Sequence, residues 1–147
     1  MTDPILSFEN VSKVFTNDGL ILPVIDKVSL DVNRGEFVSL IGPSGSGKST
    51  LFRLAAGLIR PESGKIMINE TEVTDKPIKV GYMPQKDLLL PWKTLLQNAA
   101  LPLFINGWSK NKACQRVRDL IPIFGLEGFE NSYPSQLSGG MRQRAAL

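Results

Sequence analysis

A stretch of nine residues carries the side chains with the clearest chemistry. Residues 42–50 read GPSGSGKST and match the pattern G-x-x-x-x-G-K-[ST]. Glycines keep side chains clear of the backbone N–H groups, so those groups can wrap a phosphate, and the partial positive charge at a helix start attracts it further. Lys48 would reach the β- and γ-phosphates, and the Ser49 hydroxyl would bind Mg²⁺. The stretch predicts a nucleotide-binding loop formed by Gly42, Ser44, Gly45, Ser46, Gly47, Lys48, Ser49 and Thr50.

A second glycine-rich stretch, residues 137–144, reads LSGGMRQR. Ser138, Gly139 and Gly140 precede a short helical sequence, so they predict a second exposed helix start with unobstructed N–H groups. This second anion site has no lysine of its own. A lysine-bearing anion site and one without lysine suit two sides of a single nucleotide. An ordinary turn into a helix is the alternative interpretation.

The elements around the first stretch are those that a phosphate loop requires. Residues 36–41 form an apolar run that predicts a buried strand leading directly into the loop. Upstream, residues 5–32 alternate apolar runs with turn clusters and predict two or three antiparallel strands. Downstream, residues 65–69 and 78–83 predict two short strands. Directly after the loop, apolar residues recur at the spacing of one helix face, at Leu51, Leu54, Ala55 and Leu58.

From residue 88 onward the pattern changes from strands to helices. Residues 93–106 and 109–124 both have helical periodicity. No Gly/Ser linker separates the two halves, so we predict a subdomain boundary within one domain. Residues 1–87 form the β-rich phosphate-loop core and residues 88–147 the helical subdomain of an α/β fold. One face of the second predicted helix carries Ala113, Val117, Leu120, Ile121 and Phe124.

Composition excludes several other kinds of site. The 147 residues contain no histidine and one cysteine, which excludes His-metal sites, His-based catalytic triads and a disulfide framework within them. The net charge of +3 is mild, and most basic residues of the helical region lie opposite its apolar face, so no nucleic acid partner is expected. No apolar run reaches the about 18–20 residues that cross a bilayer. We therefore expect a protein of the cytoplasm.

The two glycine-rich stretches together resemble the phosphate loop and the signature motif of ABC transporter ATPases, and the resemblance covers essentially the whole chain. It implies a P-loop NTPase core with an N-terminal antiparallel β subdomain and a helical subdomain. Gln85 looks like the Q-loop glutamine, which in that family touches Mg²⁺ or the attacking water, so Lys48 and Gln85 are the expected catalytic residues. Phe15 stands where the family places an aromatic residue, usually Tyr, that stacks on adenine. Phe8 is the better candidate for the core.

The resemblance also implies cofactors and partners. ATP and Mg²⁺ are the expected cofactors, and two ATPase subunits are expected to pair head to tail. In that arrangement Ser138, Gly139 and Gly140 of one subunit clamp the γ-phosphate held by the other. A transmembrane permease is the expected partner at the cytoplasmic face of the membrane, with a periplasmic or surface solute-binding protein acting indirectly. Residues 85–92, QKDLLLPW, offer an apolar segment where the permease would dock, although packing within the helical subdomain is the alternative.

One group of importers and one missing motif complete the expectations. The residues LLPW after Gln85, with Met141 after the glycines, are similar to the nitrate, sulfonate and taurine importer group, which includes riboflavin- and thiamine-precursor importers. In the family, a Walker B strand ending in Asp-Glu and then a switch histidine follow the signature, whereas this sequence ends at Leu147. We expect a complete chain to hydrolyse ATP and these residues alone to be inactive. The alternatives are a non-catalytic or degenerate nucleotide-binding subunit and an ATPase of a lipoprotein-export or cell-division complex.

Overall fold

The computed structural model describes residues 4–74 and 80–147, which fall into two compact units. Residues 1–82 contain the phosphate loop, and residues 83–147 contain Gln85 and the signature stretch. Each unit has its own cluster of buried apolar side chains. The boundary predicted at residues 87 and 88 stays a prediction, and the two units are described separately below.

The first unit is built on a four-stranded antiparallel sheet in the order β2-β1-β3-β4. Asp18 and Gly19, both with positive φ, turn β1 into β2, because a tight hairpin turn needs that left-handed backbone. The prediction of antiparallel strands over residues 5–32 is thus confirmed, and so is the predicted strand at 65–69. The strands are β1 (Leu6–Asn17), β2 (Leu20–Val32), β3 (Ser63–Ile68) and β4 (Thr71–Glu72).

Helix α1 (Lys48–Ala55) follows the phosphate loop and supplies a fully buried side chain to the core of this unit. Leu54 is 1% exposed and joins a cluster with side chains of β1, β2 and β3. Phe8 is buried in that cluster, as predicted. The predicted helical face is correct over one turn, but Leu58 is exposed because the helix ends at Ala55.

The buried strand predicted at residues 36–41 is wrong. These residues form no strand, and the side chains of Phe37 and Ile41 are more than nine-tenths exposed. A strand needs a neighbouring strand for its backbone hydrogen bonds, and each strand of the described sheet pairs with other members of that sheet. Residues 80–83 form no strand either, and residues 78 and 79 of that prediction lie outside the described part of the chain.

An apolar groove of about 180 Å³ lies beside residues 38–40. It is bordered by side chains of the sheet, of α1 and of residues 38–40. Apolar sequence alone therefore does not produce a strand here, because strand formation depends on packing against neighbouring strands as well as on the residue types. The lining side chains are Leu6, Phe8, Leu30, Val32, Val38, Leu40, Leu51, Phe52 and Ala55.

The second unit is helical, as the sequence predicts. Thr94 begins α2 with a capping box, in which its hydroxyl accepts from Gln97 N at 3.3 Å and its own N–H donates to Gln97 Oε1 at 3.1 Å. Among residues 4–74 and 80–147, every helix is too short or too polar to cross a bilayer. The elements are α2 (Leu95–Ile105), α3 (Lys110–Leu120), 3-10 turns at Ile121–Phe124 and Pro134–Gln136, and α4 (Gly139–Ala145).

The apolar face predicted for the second helix forms the centre of this unit's core. Ala113, Val117 and Ile121 are buried there, whereas Leu120 and Phe124 are half-buried. Pro122 interrupts the α-helix, because its ring lacks the N–H that an interior position donates, and the last turn tightens into the 3-10 form. The buried partners come from α2, the following loops and α4, at Leu95, Leu96, Ala100, Leu126, Leu137 and Ala145.

Candidate nucleotide-binding site

The phosphate loop rests directly on strand β2. Gly47 is the N-cap of α1 and has a left-handed backbone with φ of +87°. A Cβ atom on this residue would lie 2.7 Å from Ile25 Cδ1 and 2.9 Å from the Val24 carbonyl oxygen. Both the backbone angle and the space therefore require glycine here. The close approach to β2 determines where α1 starts and where its first N–H groups lie.

The start of α1 has the chemistry of an anion site. The N–H groups of a helix's first turn have no acceptor within the helix, and they carry the positive end of its dipole. This first turn holds no acidic residue that would compete for them. Ser46 N donates to the Pro43 carbonyl oxygen at 3.3 Å, which keeps the loop turned towards the helix.

Lys48 places its ammonium group over the loop. Its Nζ donates to the carbonyl oxygens of Gly42 at 2.8 Å and Pro43 at 2.6 Å, and it lies 3.2 Å from Ser46 Oγ. These acceptors hold one positive charge beside the free amides of the helix start. An arriving phosphate would offer Lys48 stronger, charged acceptors in the same place.

The remaining loop side chains leave this surface open. Gly42, Ser44, Gly45 and Ser46 are exposed, Thr50 is half-buried, and Ser49 presents an exposed hydroxyl from the first turn of α1. The donor set fits a nucleotide polyphosphate, since it combines backbone amides, an ammonium group and a hydroxyl. It also fits Mg²⁺ in part, because the ion prefers oxygen ligands and takes several of them from phosphates and water.

Phe15 lies near the phosphate loop through the register of the hairpin. It pairs with Leu22 across β1 and β2, two positions from Val24, whose carbonyl oxygen abuts the Gly47 position. Two strand residues and one strand spacing correspond to a separation of about 8 Å. The Phe15 ring is half-buried, so part of it is accessible. An aromatic ring at that distance from a phosphate-binding loop is suitably placed to stack on a nucleobase.

A carboxylate that sequence reasoning did not single out holds the chain just before this ring. Glu62 accepts from Lys13 Nζ at 2.8 Å and from Val14 N at 3.0 Å, through its two different oxygens. The hydrogen bond from Lys13 is the main reason why the pKa of Glu62 lies below its ordinary value of 4.5. Lys13 Nζ also lies 5.3 Å from the centroid of the Phe15 ring.

The signature stretch begins α4 in the second unit. Ser138 is the N-cap, and its hydroxyl accepts from Met141 N at 3.2 Å. Gly139 and Gly140 form the exposed first turn, without Cβ atoms over its N–H groups. The Arg142 guanidinium donates to the Leu137 carbonyl oxygen at 2.7 Å and to Asp87 Oδ2 at 3.0 Å. The start of α4 is thereby fixed to the segment that follows Gln85.

Gln85 is exposed on an irregular segment that a buried asparagine holds in shape. Asn98, only 8% exposed, accepts from Leu90 N at 2.7 Å and donates to the carbonyl oxygens of Leu90, Lys93 and Thr94 at 3.0–3.1 Å. Leu89 packs on the core of the helical unit. Leu88 and Trp92 instead project outward, at 73% and 70% exposed.

These features match one family of known proteins. The family model described as ABC transporter matches residues 25–147. The chain belongs to the ABC transporter family. The formylaminopyrimidine import ATP-binding protein ThiZ of Halalkalibacterium halodurans is 46% identical over 147 residues, which are 100% of this chain and 55% of that protein. The uncharacterized ABC transporter ATP-binding protein MJ0412 of Methanocaldococcus jannaschii is 41% identical over 142 residues, which are 97% of this chain and 53% of that protein.

Solved structures of this family show the same fold. The ATP-binding cassette MJ0796, solved as a dimer in a post-hydrolysis state with ADP and Pi, is 32% identical in sequence and superposes with a TM-score of 0.84. The match covers 96% of this chain and 66% of that structure. The chain thus has the P-loop NTPase fold of an ABC cassette, with its antiparallel β and helical parts. It spans about half the length of the curated relatives it matches.

Sequence reasoning missed four side chains that position these candidate residues. Two of them, Asp87 and Arg142, lie inside stretches that the sequence marks, but their pairing needs the fold to bring them together. The other two have weak sequence signals. Glu62 stands in the turn after the predicted helix, and Asn98 is one of two adjacent polar residues, with Gln97, in a largely apolar helical run. A polar residue in such a run indicates a buried hydrogen-bonding role.

Proposed function

We propose that this chain forms the nucleotide-binding part of an importer ATPase. The observation that carries the proposal is the Gly47 turn, which fits against β2 and presents the first amides of α1 beside the Lys48 ammonium. Gly42, Ser44, Gly45 and Ser46 would wrap the phosphates of ATP, and Ser49 and Thr50 would contribute hydroxyls. Ser49 would hold Mg²⁺, with Gln85 as a second oxygen ligand. Phe15 would stack on the adenine.

Exchange of the loop lysine tests nucleotide binding directly. In the product of the complete reading frame, Lys48→Ala should weaken ATP binding about 10- to 100-fold, since a charge-assisted hydrogen bond is lost. Lys65→Ala, at an exposed lysine of β3, is the matched control. Equilibrium titration with a fluorescent ATP analogue measures both. Equal ATP affinities of the Lys48→Ala and Lys65→Ala proteins would contradict a role of Lys48 in binding ATP. They would also contradict the proposal that residues 42–50 form the phosphate-binding loop.

Hydrolysis is the second part of the proposal. Phosphoryl transfer needs an Mg²⁺-binding carboxylate and a group that orients the attacking water. Gln85 suits the second role, and we propose that the carboxylates follow Leu147 in the complete reading frame, since the curated relatives are nearly twice as long as this chain. Reading the DNA beyond that codon is the decisive test. An apolar run ending in Asp-Glu supports an ATPase, whereas a stop codon supports a subunit that only binds nucleotide.

Coupling to import is the third part, and the exposed segment 88–92 supports it. Asn98 holds the backbone of this segment while Leu88 and Trp92 point outward, so it presents a preformed apolar contact for a transmembrane permease. The protein would then be peripheral at the cytoplasmic face of the membrane. A solute-binding protein would act on it only through the permease. The similarity to ThiZ, a formylaminopyrimidine import ATP-binding protein, supports import of a small solute.

Substitution in this segment tests docking without touching the phosphate loop. Trp92→Ala should reduce co-purification with a co-expressed permease partner, whereas Ile105→Ala removes a similarly exposed apolar side chain at the end of α2 and should not. ATP binding should stay at the wild-type value in both variants. Undiminished co-purification of the Trp92 variant would contradict the proposed docking site.

A head-to-tail pair of ATPase subunits completes the proposal. The amides after Ser138, at Gly139 and Gly140, would contact the γ-phosphate bound by the loop of the partner copy. The dimeric state of MJ0796 supports a second ATPase subunit. Sedimentation of the complete protein with and without a non-hydrolysable ATP analogue tests it. A sedimentation coefficient that stays at the monomer value when the analogue is added would contradict ATP-dependent dimerisation.

A further inference from the structure

The side chain of Lys13 is held between a carboxylate and an aromatic ring. Its Nζ donates to Glu62 Oε1 at 2.8 Å and lies 5.3 Å from the centroid of the Phe15 ring. The Lys13 side chain is only 14% exposed, which is unusual for a lysine. An ammonium within about 6 Å of a ring face is attracted by the negative charge of that face.

Glu62 is itself held firmly at this place. Its second carboxylate oxygen accepts from Val14 N at 3.0 Å, and its own N–H donates to the Ser12 carbonyl oxygen at 2.9 Å. The residue stands on the short connection between α1 and β3. Glu62 thus follows the helix that begins at the phosphate loop, and its carboxylate binds β1 at Lys13 and Val14, directly before Phe15.

We propose that Lys13 and Glu62 are a positioning pair that fixes the Phe15 ring for a nucleobase. Lys13 occupies one face of the ring, and the base of the nucleotide stacks on the opposite face. Glu62 keeps Lys13 in place by binding it and the adjacent backbone N–H. This inference rests on the proposed ATP binding and adds to it the residues that set the affinity for the base.

A pair that acts through Phe15 must affect the base and leave the phosphates alone. In the complete protein, Lys13→Met and Glu62→Gln should each weaken ATP binding about two- to fivefold, as expected for loss of a cation–π contact at a partly exposed ring. Affinity for inorganic tripolyphosphate, which contacts only the phosphate loop, should stay unchanged. Isothermal titration with both ligands measures the two effects, and Lys65→Met serves as the matched control.

A second background separates positioning from general support of the sheet. In a Phe15→Ala protein, adding Lys13→Met or Glu62→Gln should cause no further loss of ATP affinity, because the ring on which the pair acts is gone. A further loss of the same size in that background would overturn the inference. Unchanged or tighter ATP binding by Lys13→Met in the wild-type background would also overturn it. Lys13→Met retains the apolar stem, which keeps the test available if Glu62→Gln lowers the stability of the sheet.

The two proposals fail in different ways. Wild-type protein that binds neither ATP nor tripolyphosphate would contradict the proposed nucleotide binding. A different result would contradict only the positioning pair: the wild-type protein binds ATP and tripolyphosphate, and the Lys13→Met and Glu62→Gln proteins bind each ligand with the wild-type affinity. An equal loss for ATP and for tripolyphosphate would assign the pair to the phosphate loop and would overturn its role at the base.

Discussion

Arg142 Nε donates a hydrogen bond to Asp87 Oδ2 at 3.0 Å, across 55 positions of sequence. Asp87 lies two residues after Gln85, and Arg142 lies in the first turns of the helix that Ser138 caps. Both side chains are partly shielded, at 24% and 34% exposed. The pair therefore joins two stretches to which the family resemblance assigns different roles, and it does so inside the helical unit.

Breaking this pair should loosen the segment that carries Gln85. A partly exposed ion pair contributes about 0.5–1 kcal/mol, so Asp87→Asn should lower the free energy of unfolding by roughly that amount. Arg142→Ala should lower it further, because it also removes the hydrogen bond to the Leu137 carbonyl oxygen. The double variant should lose less than the sum, because the two residues share one interaction. Urea denaturation measures the cycle, and hydrogen exchange should show faster exchange of the amides of residues 85–90. Arg116→Ala, at an exposed arginine of α3, is the control.

Strictly additive losses would contradict a direct interaction between Asp87 and Arg142. Unchanged amide exchange over residues 85–90 would show that the pair leaves the Gln85 segment unaffected.

Substitution of Asn98 should lower the stability of the helical unit more than substitution of an exposed residue. Asn98→Ala removes the acceptor of Leu90 N and the side-chain donor to the Lys93 carbonyl oxygen, and these groups are partly shielded from water. The carbonyl oxygens of Leu90 and Thr94 lose one of their donors and keep a backbone N–H donor. The expected loss is about 2–4 kcal/mol in the free energy of unfolding, because buried groups left without partners are costly. Asn111→Ala, at an exposed asparagine of α3, should change stability little. A loss below that of the Asn111 control would contradict the role of Asn98.

Gly47→Ala should cost more than the same exchange at another left-handed glycine. Gly35 has φ of +78° with open space around the Cβ position, so Gly35→Ala measures backbone strain alone, about 1–2 kcal/mol. At Gly47 the new methyl group would also press on Ile25 and on the Val24 carbonyl oxygen, which adds about 1–3 kcal/mol. Thermal unfolding compares the two variants, and ATP should bind only the Gly35 variant. Equal stabilities would contradict the tight seat of the loop on β2.

How far the sequence predicts this molecule depends on whether a feature is local. The phosphate loop and the hairpin turn at Asp18 and Gly19 follow from neighbouring residues, so pattern reasoning finds them. The segment around Phe37 differs, because its apolar residues become a strand only when another strand lies beside them. Its exposure in this structure shows that the apolar pattern alone does not determine burial.

The candidate site divides in the same way. Glycines and the lysine of a phosphate loop must have those types at that spacing, so sequence reasoning names them. Other polar residues could make the hydrogen bonds that Asn98 and Glu62 make, so their types alone do not reveal their roles. Only the fold shows which backbone segments these two side chains bind. Positioning residues of this kind depend on long-range contacts, which a single sequence does not display.

The ion pair between Lys13 and Glu62 should make the free energy of unfolding depend on pH. The pKa of Glu62 is lowered in the folded protein, chiefly by the hydrogen bond from Lys13, so the ionised carboxylate stabilises the fold. This stabilisation is complete above the unfolded value near 4.5 and is lost as the pH falls through the lower folded value. The difference in unfolding free energy between wild type and Glu62→Gln should therefore shrink from pH 6.5 to pH 3. A constant difference across that range would contradict the ionised pair.

Ser138 combines a structural and a proposed binding role that two substitutions can separate. Ser138→Ala removes the acceptor of Met141 N and should destabilise the start of α4 by about 1 kcal/mol, seen as faster amide exchange. Ser138→Asp retains a good cap but places a negative charge where the γ-phosphate of the partner copy would lie. Amide exchange in α4 should then match the wild type, while sedimentation with a non-hydrolysable ATP analogue should show no dimer. An aspartate variant that dimerises like the wild type would exclude the phosphate from this helix start, because two like charges that close cannot be accommodated without a loss of affinity.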